Sequence, residues 1–423
     1  MKYIITAPDI LNTDITLPAS KSISNRALLI SAMAAEMSHT PIIFPDNLSD
    51  CDDTDVVVSA LREMPEVIDI KAAGTAMRFM TAYLSTLPGE THVITGTERM
   101  RHRPIKTLVD ALRQLGAEIE YVGEEGYPPL RITGKRLRGG KLSISGNISS
   151  QYISAILMIA PTMLHGLQLT LHGDIVSRPY IDLTLTTMRD FGAVADWSGV
   201  DSISVDNVPY SPRKYFIESD WSAASYWYQM MALYFNDECS VTLQGLMDAS
   251  RQGDSQVKYL FSMLGVGTSF NTTEPLVPTE VTLRCNDGQV PRLDFDFTHQ
   301  PDLAQTMIAT CLALGMHFHF RGLASLKIKE TDRIEAMKTE MRRLGYVIYD
   351  YNDSELRWDG ERCAPEEDCI IQTYDDHRMA MSIAPMSIIL GQLTISHPEV
   401  VTKSYPHFWD DLRTSGFTIS EIV

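Results

Sequence analysis

The chain has 423 residues, enough for two or three domains with cores of their own. Apolar residues make up 44% and charged residues 21%, as in ordinary globular proteins, and no apolar run approaches the roughly 20 residues that span a bilayer. With 36 Lys and Arg against 54 Asp and Glu, the formal charge of −18 argues against nucleic acid or anionic membrane as a partner, although a locally basic cleft stays open to small anions.

The stretch Leu17–Leu29 reads L-P-A-S-K-S-I-S-N-R-A-L-L. Pro18 closes an extended start, Ser20 and Ser22 are N-cap candidates, and a helix begins by Ala27-Leu28-Leu29-Ile30. Ser22 and Arg26 share a helix face, as do Lys21 and Asn25, so cations gather at the positive end of a helix dipole, a place that suits phosphate or carboxylate. A capped helix with two solvated cations is the plain alternative.

A nearly all-apolar helix followed by an amphipathic one then recurs six times. The apolar helices are predicted to begin near Ser22, Gly74, Ser149, Ser222, Asp302 and Asp376. Their partners end at Gly116, Gly192, Gly265, Gly345 and Gly416, offsets of 40–43 residues, whereas the first copy ends at Met64-Pro65. Short alternating strands such as Gly140–Ser145 and Leu167–His172 fill the gaps. Three units end near residue 212, at P-Y-S-P-R-K, and three follow, so two three-unit domains are expected. If the units are arranged alike, the openings of the apolar helices point to one side of each domain, and two facing domains would line a cleft with positive dipole ends.

The stretches able to carry chemistry lie near these openings. Gly74 lets a ligand approach the backbone, and Arg78 follows it by four residues. Arg99, Arg101 and Arg103 alternate as on a strand, where an exposed basic edge is the plain reading for the last two. Lys327–Arg333 is expected to open an amphipathic helix, with Lys329 and Arg333 on one face and Glu330 either a dipole partner or a functional acid. His377 and Arg378 enter a buried helix and need partners nearby, and Lys403 follows in V-V-T-K-S-Y-P. Pro45–Asp55 resembles a calcium loop but lacks its Gly and terminal Glu, so helix capping explains it better. His317 and His319 are expected in a strand, and the Met-rich runs in the core. Cys51, Cys239, Cys285, Cys311, Cys363 and Cys369 form no C-x-x-C, and the N-terminal apolar stretch is too short for a signal peptide. Neither zinc nor a disulfide frame is indicated, and a reducing cytoplasm is the expectation.

In order along the chain, L-P-A-S-K-S-I-S-N-R-A-L-L, A-G-T-A-M-R, R-M-R-H-R-P-I, S-S-Q-Y, S-R-P-Y-I-D, P-D-L-A, K-E-T-D-R-I and D-D-H-R-M-A-M resemble the EPSP synthase (3-phosphoshikimate 1-carboxyvinyltransferase) family. The resemblance implies an α/β fold of two domains, each of three β-α-β-α-β-β repeats, an inside-out α/β barrel. Residues 19–215 would form the first domain, and residues 1–18 with 216–423 the second. It also implies enolpyruvyl transfer from phosphoenolpyruvate to the 5-hydroxyl of shikimate 3-phosphate, with loss of phosphate and with glyphosate as an inhibitor. No cofactor or metal is implied, and a cytoplasmic monomer without nucleic-acid or membrane partners is expected.

Carried over position by position, Lys21, Ser22 and Arg26 resemble contacts to shikimate 3-phosphate, with Ser149, Ser150, Gln151, Ser177 and Tyr180 as the phosphate and ring-binding group. Asp302, Ser325 and Lys329 complete that set. Gly74, Arg99, Arg333, Arg378 and Lys403 resemble the phosphoenolpyruvate clamp, which Lys21 and Gln151 also reach. Asp302 matches the hydroxyl base and Glu330 the proton-transfer residue, with Lys21 and His377 in the catalytic group. Ala72, Phe79, Ser219 and Ser325 depart from the family's usual Asn, Pro, Gly and Asn. A sister enzyme acting on UDP-N-acetylglucosamine would open with K-N-A-A-L and use a loop cysteine near residues 100–115, a region with no cysteine here. An RNA 3′-phosphate cyclase would need a basic surface, and a non-catalytic anion-binding paralogue would have lost Asp302 or Glu330.

Overall fold

The computed structural model describes residues 1–272 and 274–422. The chain packs as two units, Ala19–Ile217 and Met1–Pro18 with Glu218–Val423, each around its own apolar core. The repeat is visible in both. Six helices begin at Lys21, Gly74, Ser150, Trp221, Ala304 and His377, within two residues of the positions expected from the apolar pattern. They are buried on nearly every face: in Lys21–Ser38 every side chain from Ile23 to Ala35 is covered. A helix apolar all round has no solvent face to offer and becomes interior.

Four of the amphipathic partners end as their stop glycines dictate, whereas in the fourth copy the helix Val257–Ser262 ends earlier and Gly265 lies in the strand Leu264–Phe270. Gly116, Gly192, Gly345 and Gly416 each follow a helix with φ between 92° and 106°, a region open to glycine at little cost. In the first copy Met64 takes the left-handed position itself, with φ 40°. Its helix, Asp52–Glu63, carries Asp52, Asp53 and Asp55 in its first turn, complementing the dipole, while Cys51 provides no side-chain cap.

Among the described residues there are five four-stranded sheets, and all share one plan. The first two strands are parallel, and the remaining pairings are antiparallel, as in Val67–Asp69, Thr91–Thr95, Leu130–Thr133 and Glu118–Tyr121 taken across the sheet. The N-terminus supplies two of these places. Lys2–Thr6 lies between Leu393–Ser396 and Thr418–Ile422, completing the last repeat, and Asn12–Thr16 runs parallel to Ser240–Leu246, opening the fourth. Among the described residues the first repeat has no sheet of its own, and the bridge Asp46–Phe216 stands in its place. The helices are inside, yet no sheet closes on itself, so the arrangement is inside-out without being a closed barrel.

Two local expectations are corrected. Arg99–Arg103 is not a strand: Thr97 caps a one-turn helix, Glu98–Arg101, accepting from Met100 N at 3.4 Å. A three-residue alternation is too short to outweigh a Thr cap followed by an acidic residue. Lys329 and Arg333 do not share a helix face either. A 3₁₀ segment, Ala324–Ile328, stops before Lys329, and Asp332 caps a new helix, Arg333–Arg343, through Glu335 N at 3.1 Å. His317 and His319 lie on the strand His317–Arg321, as expected.

Candidate active site

In the Ala19–Ile217 unit the helix openings meet. Ser20, not Ser22, caps Lys21–Ser38, so Lys21 and Ser22 form its first turn. Lys21 pairs with Asp53 at 3.5 Å. Arg26, one turn on, is only 3% exposed, and its guanidinium is held entirely by neutral acceptors. Nε donates to Thr184 Oγ1 at 2.7 Å, Nη1 to the Ser22 carbonyl at 2.9 Å, and Nη2 to Ser154 Oγ at 3.1 Å and the Tyr180 carbonyl at 3.3 Å. Burial pushes this guanidinium down to about 10. Among the described residues no carboxylate pairs with it.

Ser149 caps the third buried helix, accepting from Gln151 N at 3.4 Å, and Ser150 begins it. Gln151 Nε2 donates to Thr75 Oγ1 at 3.1 Å, joining this opening to that of Gly74–Leu84. Tyr152 donates to the Pro104 carbonyl at 2.6 Å, which draws the Arg103 segment to the same place. Ser177 stands ahead of Arg178–Asp190 in a left-handed conformation, φ 54° and ψ 37°, buried, with no side-chain capping bond. A non-glycine residue in that region stores strain, a recurrent feature of binding sites.

At Gly74 the residues differ from those carried over by motif. A Cβ built there would lie 2.6 Å from Nη1 of both Arg78 and Arg103, whereas Arg99 is exposed on its one-turn helix. Arg78 and Arg103 are therefore the cations that stand against this glycine. The alternation of three arginines does not distinguish Arg103, but its place directly before Pro104 and Ile105 does.

The other unit gathers the remaining charges. Asp302 lies in the 3₁₀ turn Pro301–Leu303 and pairs with Arg333 at 3.0 Å, Arg378 at 3.1 Å and Lys329 at 3.4 Å. Arg333, 2% exposed, also meets Asp376 at 2.7 Å and Glu330 at 2.9 Å, and Glu330 meets Lys403 at 3.4 Å. Asp376 caps the helix that His377 and Arg378 begin. Arg378 has thus found the partner that its buried position demands, and His377 is buried beside it. Burial alone would raise the Asp302 carboxyl, but Arg378, Lys329 and Arg333 outweigh it and hold the group well below the usual carboxylate range. Glu330 stands outside the helix, ahead of its cap, so it is no dipole partner. Ser325 sits half-buried within Ala324–Ile328 and joins none of these ion pairs.

A family model described as EPSP synthase (3-phosphoshikimate 1-carboxyvinyltransferase) matches residues 5–68 and 63–412. The chain is 55% identical over 419 residues to a Bacteroides fragilis protein named 3-phosphoshikimate 1-carboxyvinyltransferase, with 99% of each chain covered. A Haemophilus influenzae protein of the same name is 34% identical over 445 residues, with 98% of this chain and 99% of the other covered. Among solved structures, EPSP synthase from Acinetobacter baumannii matches with a TM-score of 0.76 at 20% identity, over 99% of this chain and 100% of that one. The enolpyruvyl transferase NikO from Streptomyces tendae matches with 0.70 at 15%, over 99% of this chain and 98% of that one. The structures establish the fold as one shared by enolpyruvyl transferases. The sequence matches go further: the chain belongs to the EPSP synthase family.

Proposed function

We propose that the protein transfers the enolpyruvyl group of phosphoenolpyruvate to the 5-hydroxyl of shikimate 3-phosphate and releases phosphate. Its relatives' shared name, 3-phosphoshikimate 1-carboxyvinyltransferase, supports this along the whole chain. The observation that carries it is Arg26, a buried guanidinium on a protein of charge −18 for which no described carboxylate provides the counter-charge. A buried unpaired charge is costly unless a ligand completes it, and a phosphorylated carboxylic acid does so.

The second set carries four cations, Lys329, Arg333, Arg378 and Lys403, against three carboxylates, Asp302, Glu330 and Asp376. Before ligand binds, the carboxylates occupy the donors that a phosphate or carboxylate needs. An arriving anion competes for those donors and weakens the fields that hold Asp302 ionised. Its proton affinity then rises toward that of a useful base. In this scheme Asp302 takes the hydroxyl proton as the oxygen bonds to C2 of phosphoenolpyruvate, and Glu330 protonates C3, with Lys21 and His377 as the further catalytic candidates. Loss of a C3 proton and of phosphate from the tetrahedral adduct restores the double bond. Lys21, Ser22, Arg26, Ser177 and Tyr180 serve shikimate 3-phosphate, while Gly74, Arg103, Arg333, Arg378 and Lys403 serve phosphoenolpyruvate.

A cytoplasmic monomer is part of the same proposal. All six cysteines are unpaired, which suits a reducing compartment, and no described helix is long and apolar enough to cross a membrane. The deciding experiment is a coupled phosphate-release assay with phosphoenolpyruvate. Turnover is expected with shikimate 3-phosphate and not with UDP-N-acetylglucosamine, and the reverse preference overturns the reading.

A further inference from the structure

The acceptors around Arg26 are built for one purpose. A guanidinium has five N–H donors. Four point at Thr184 Oγ1, Ser154 Oγ and the Ser22 and Tyr180 carbonyls, which leaves one on Nη1. Thr184 is the hub of this set: its hydroxyl accepts from Nε and lies 2.8 Å from both Ser154 Oγ and the Tyr180 carbonyl. Thr184 and Ser154 are each 0% exposed, so water does not substitute freely for them. The Phe79 ring lies 5.4 Å from the guanidinium carbon and adds attraction without charge. Arg333 in the other unit shows the contrast, because three carboxylates neutralise it.

We propose that Thr184, together with Ser154 and the face of Phe79, is a positioning residue that fixes the Arg26 guanidinium while leaving its charge for shikimate 3-phosphate. The inference rests on the function proposed above. Neutral hydroxyls satisfy the directional demand of the donors and leave the positive field intact, whereas a carboxylate here would satisfy both and compete with an anion for the site. Thr184 lies one helical turn after Tyr180, and Ser154 one turn after Ser150. Two helices that present substrate-contact candidates at their openings therefore also lock the arginine one turn deeper.

The test compares Thr184→Val, Thr184→Ser and Thr184→Asp with the wild type, measuring KM for shikimate 3-phosphate, KM for phosphoenolpyruvate at saturating shikimate 3-phosphate, and thermal unfolding. Thr184→Val keeps the shape and loses the acceptor; its KM for shikimate 3-phosphate is expected to rise about 10- to 100-fold, the range of a hydrogen bond to a charged group, with the other KM nearly unchanged. Thr184→Ser restores the wild-type value to within a few-fold. Thr184→Asp unfolds no earlier than Thr184→Val yet binds shikimate 3-phosphate worst. Equal shifts of both KM values in Thr184→Val, or wild-type shikimate 3-phosphate affinity in Thr184→Asp, overturn the proposal. Should Thr184→Val not fold, Ser154→Ala carries the same split, and an unchanged KM there is the overturning result. A wild type inactive with both substrates defeats the functional reading itself, whereas an active wild type with indifferent variants defeats only this inference.

Discussion

Arg103 and Gly74 compete for one small space: the Nη1 atom of Arg103 lies 2.6 Å from where a Cβ on Gly74 would stand. Arg78 Nη1 is equally close and also donates to the Gly74 carbonyl at 2.7 Å. Gly74→Ala must therefore displace two guanidinium groups before it touches any ligand. The expected result is a KM for phosphoenolpyruvate raised about 5- to 150-fold, the equivalent of the roughly 1–3 kcal/mol that overpacking costs. Inhibition by glyphosate should weaken in parallel, read as the inhibition constant against phosphoenolpyruvate. A variant with wild-type KM and inhibition would show that both arginines move aside freely.

The same geometry separates two arginines that look alike in sequence. Arg103→Ala is expected to raise the KM for phosphoenolpyruvate about 10- to 100-fold through loss of a charge-assisted contact. Arg99→Ala, an exposed position, should change it less than about two-fold, as most surface substitutions do. Steady-state kinetics at saturating shikimate 3-phosphate checks both. A larger effect at Arg99 would support the assignment carried over from the motif.

Local signals read well from the sequence, and long-range ones did not. The openings at Gly74 and Ser149 and the left-handed glycines at Gly116 and Gly192 are written in a few consecutive residues, because caps and apolar periodicity are local. That Lys2–Thr6 completes the last repeat while Asn12–Thr16 opens the fourth depends on partners hundreds of residues away, which no local pattern encodes. At the site, charged motifs such as those of Asp302, Arg333 and Arg378 stand out against apolar surroundings. Ser154 and Thr184 do not, because a hydroxyl inside a helix reads as filler until a donor is seen pointing at it. Lys329 and Arg333 share a helix face only in a helix that runs through Asp332, and that residue's cap starts the helix after Lys329.

Glu330 offers a test of chemistry against binding. It accepts from Arg333 at 2.9 Å and pairs with Lys403 at 3.4 Å, so it both competes with an incoming anion and holds a transferable proton site. Glu330→Gln removes the charge and keeps the shape. Turnover is expected to fall by about 10²–10⁴, the usual contribution of general acid–base catalysis. The KM for phosphoenolpyruvate should stay level or fall, because Arg333 and Lys403 lose a competitor. Near-normal turnover would reduce Glu330 to an ion-pair partner.

Away from these charges, Glu218 should set a pH dependence of stability. It is 4% exposed; Oε1 accepts from Ser250 Oγ at 2.8 Å, and Oε2 is buried without a hydrogen-bond partner among the described residues. Burial pushes its carboxyl up to about 7; Ser250 and Gln252 oppose this, Asp220 adds to it, and Arg251 reduces it. The unfolded chain releases this proton at its ordinary value near 4.5, whereas the folded chain keeps it to about 7. Between those values the folded state holds more protons, so this group's contribution to stability falls as pH rises and levels off above about 7. The loss amounts to roughly 3 kcal/mol at the upper end, taking about 1.4 kcal/mol per pKa unit. Glu218→Gln keeps the acceptor for Ser250 and removes the titration. Its urea midpoint relative to wild type should therefore rise from pH 5 to pH 8. A midpoint difference that is the same at both values would mean that Glu218 is ionised throughout and that water or a neighbouring cation reaches Oε2.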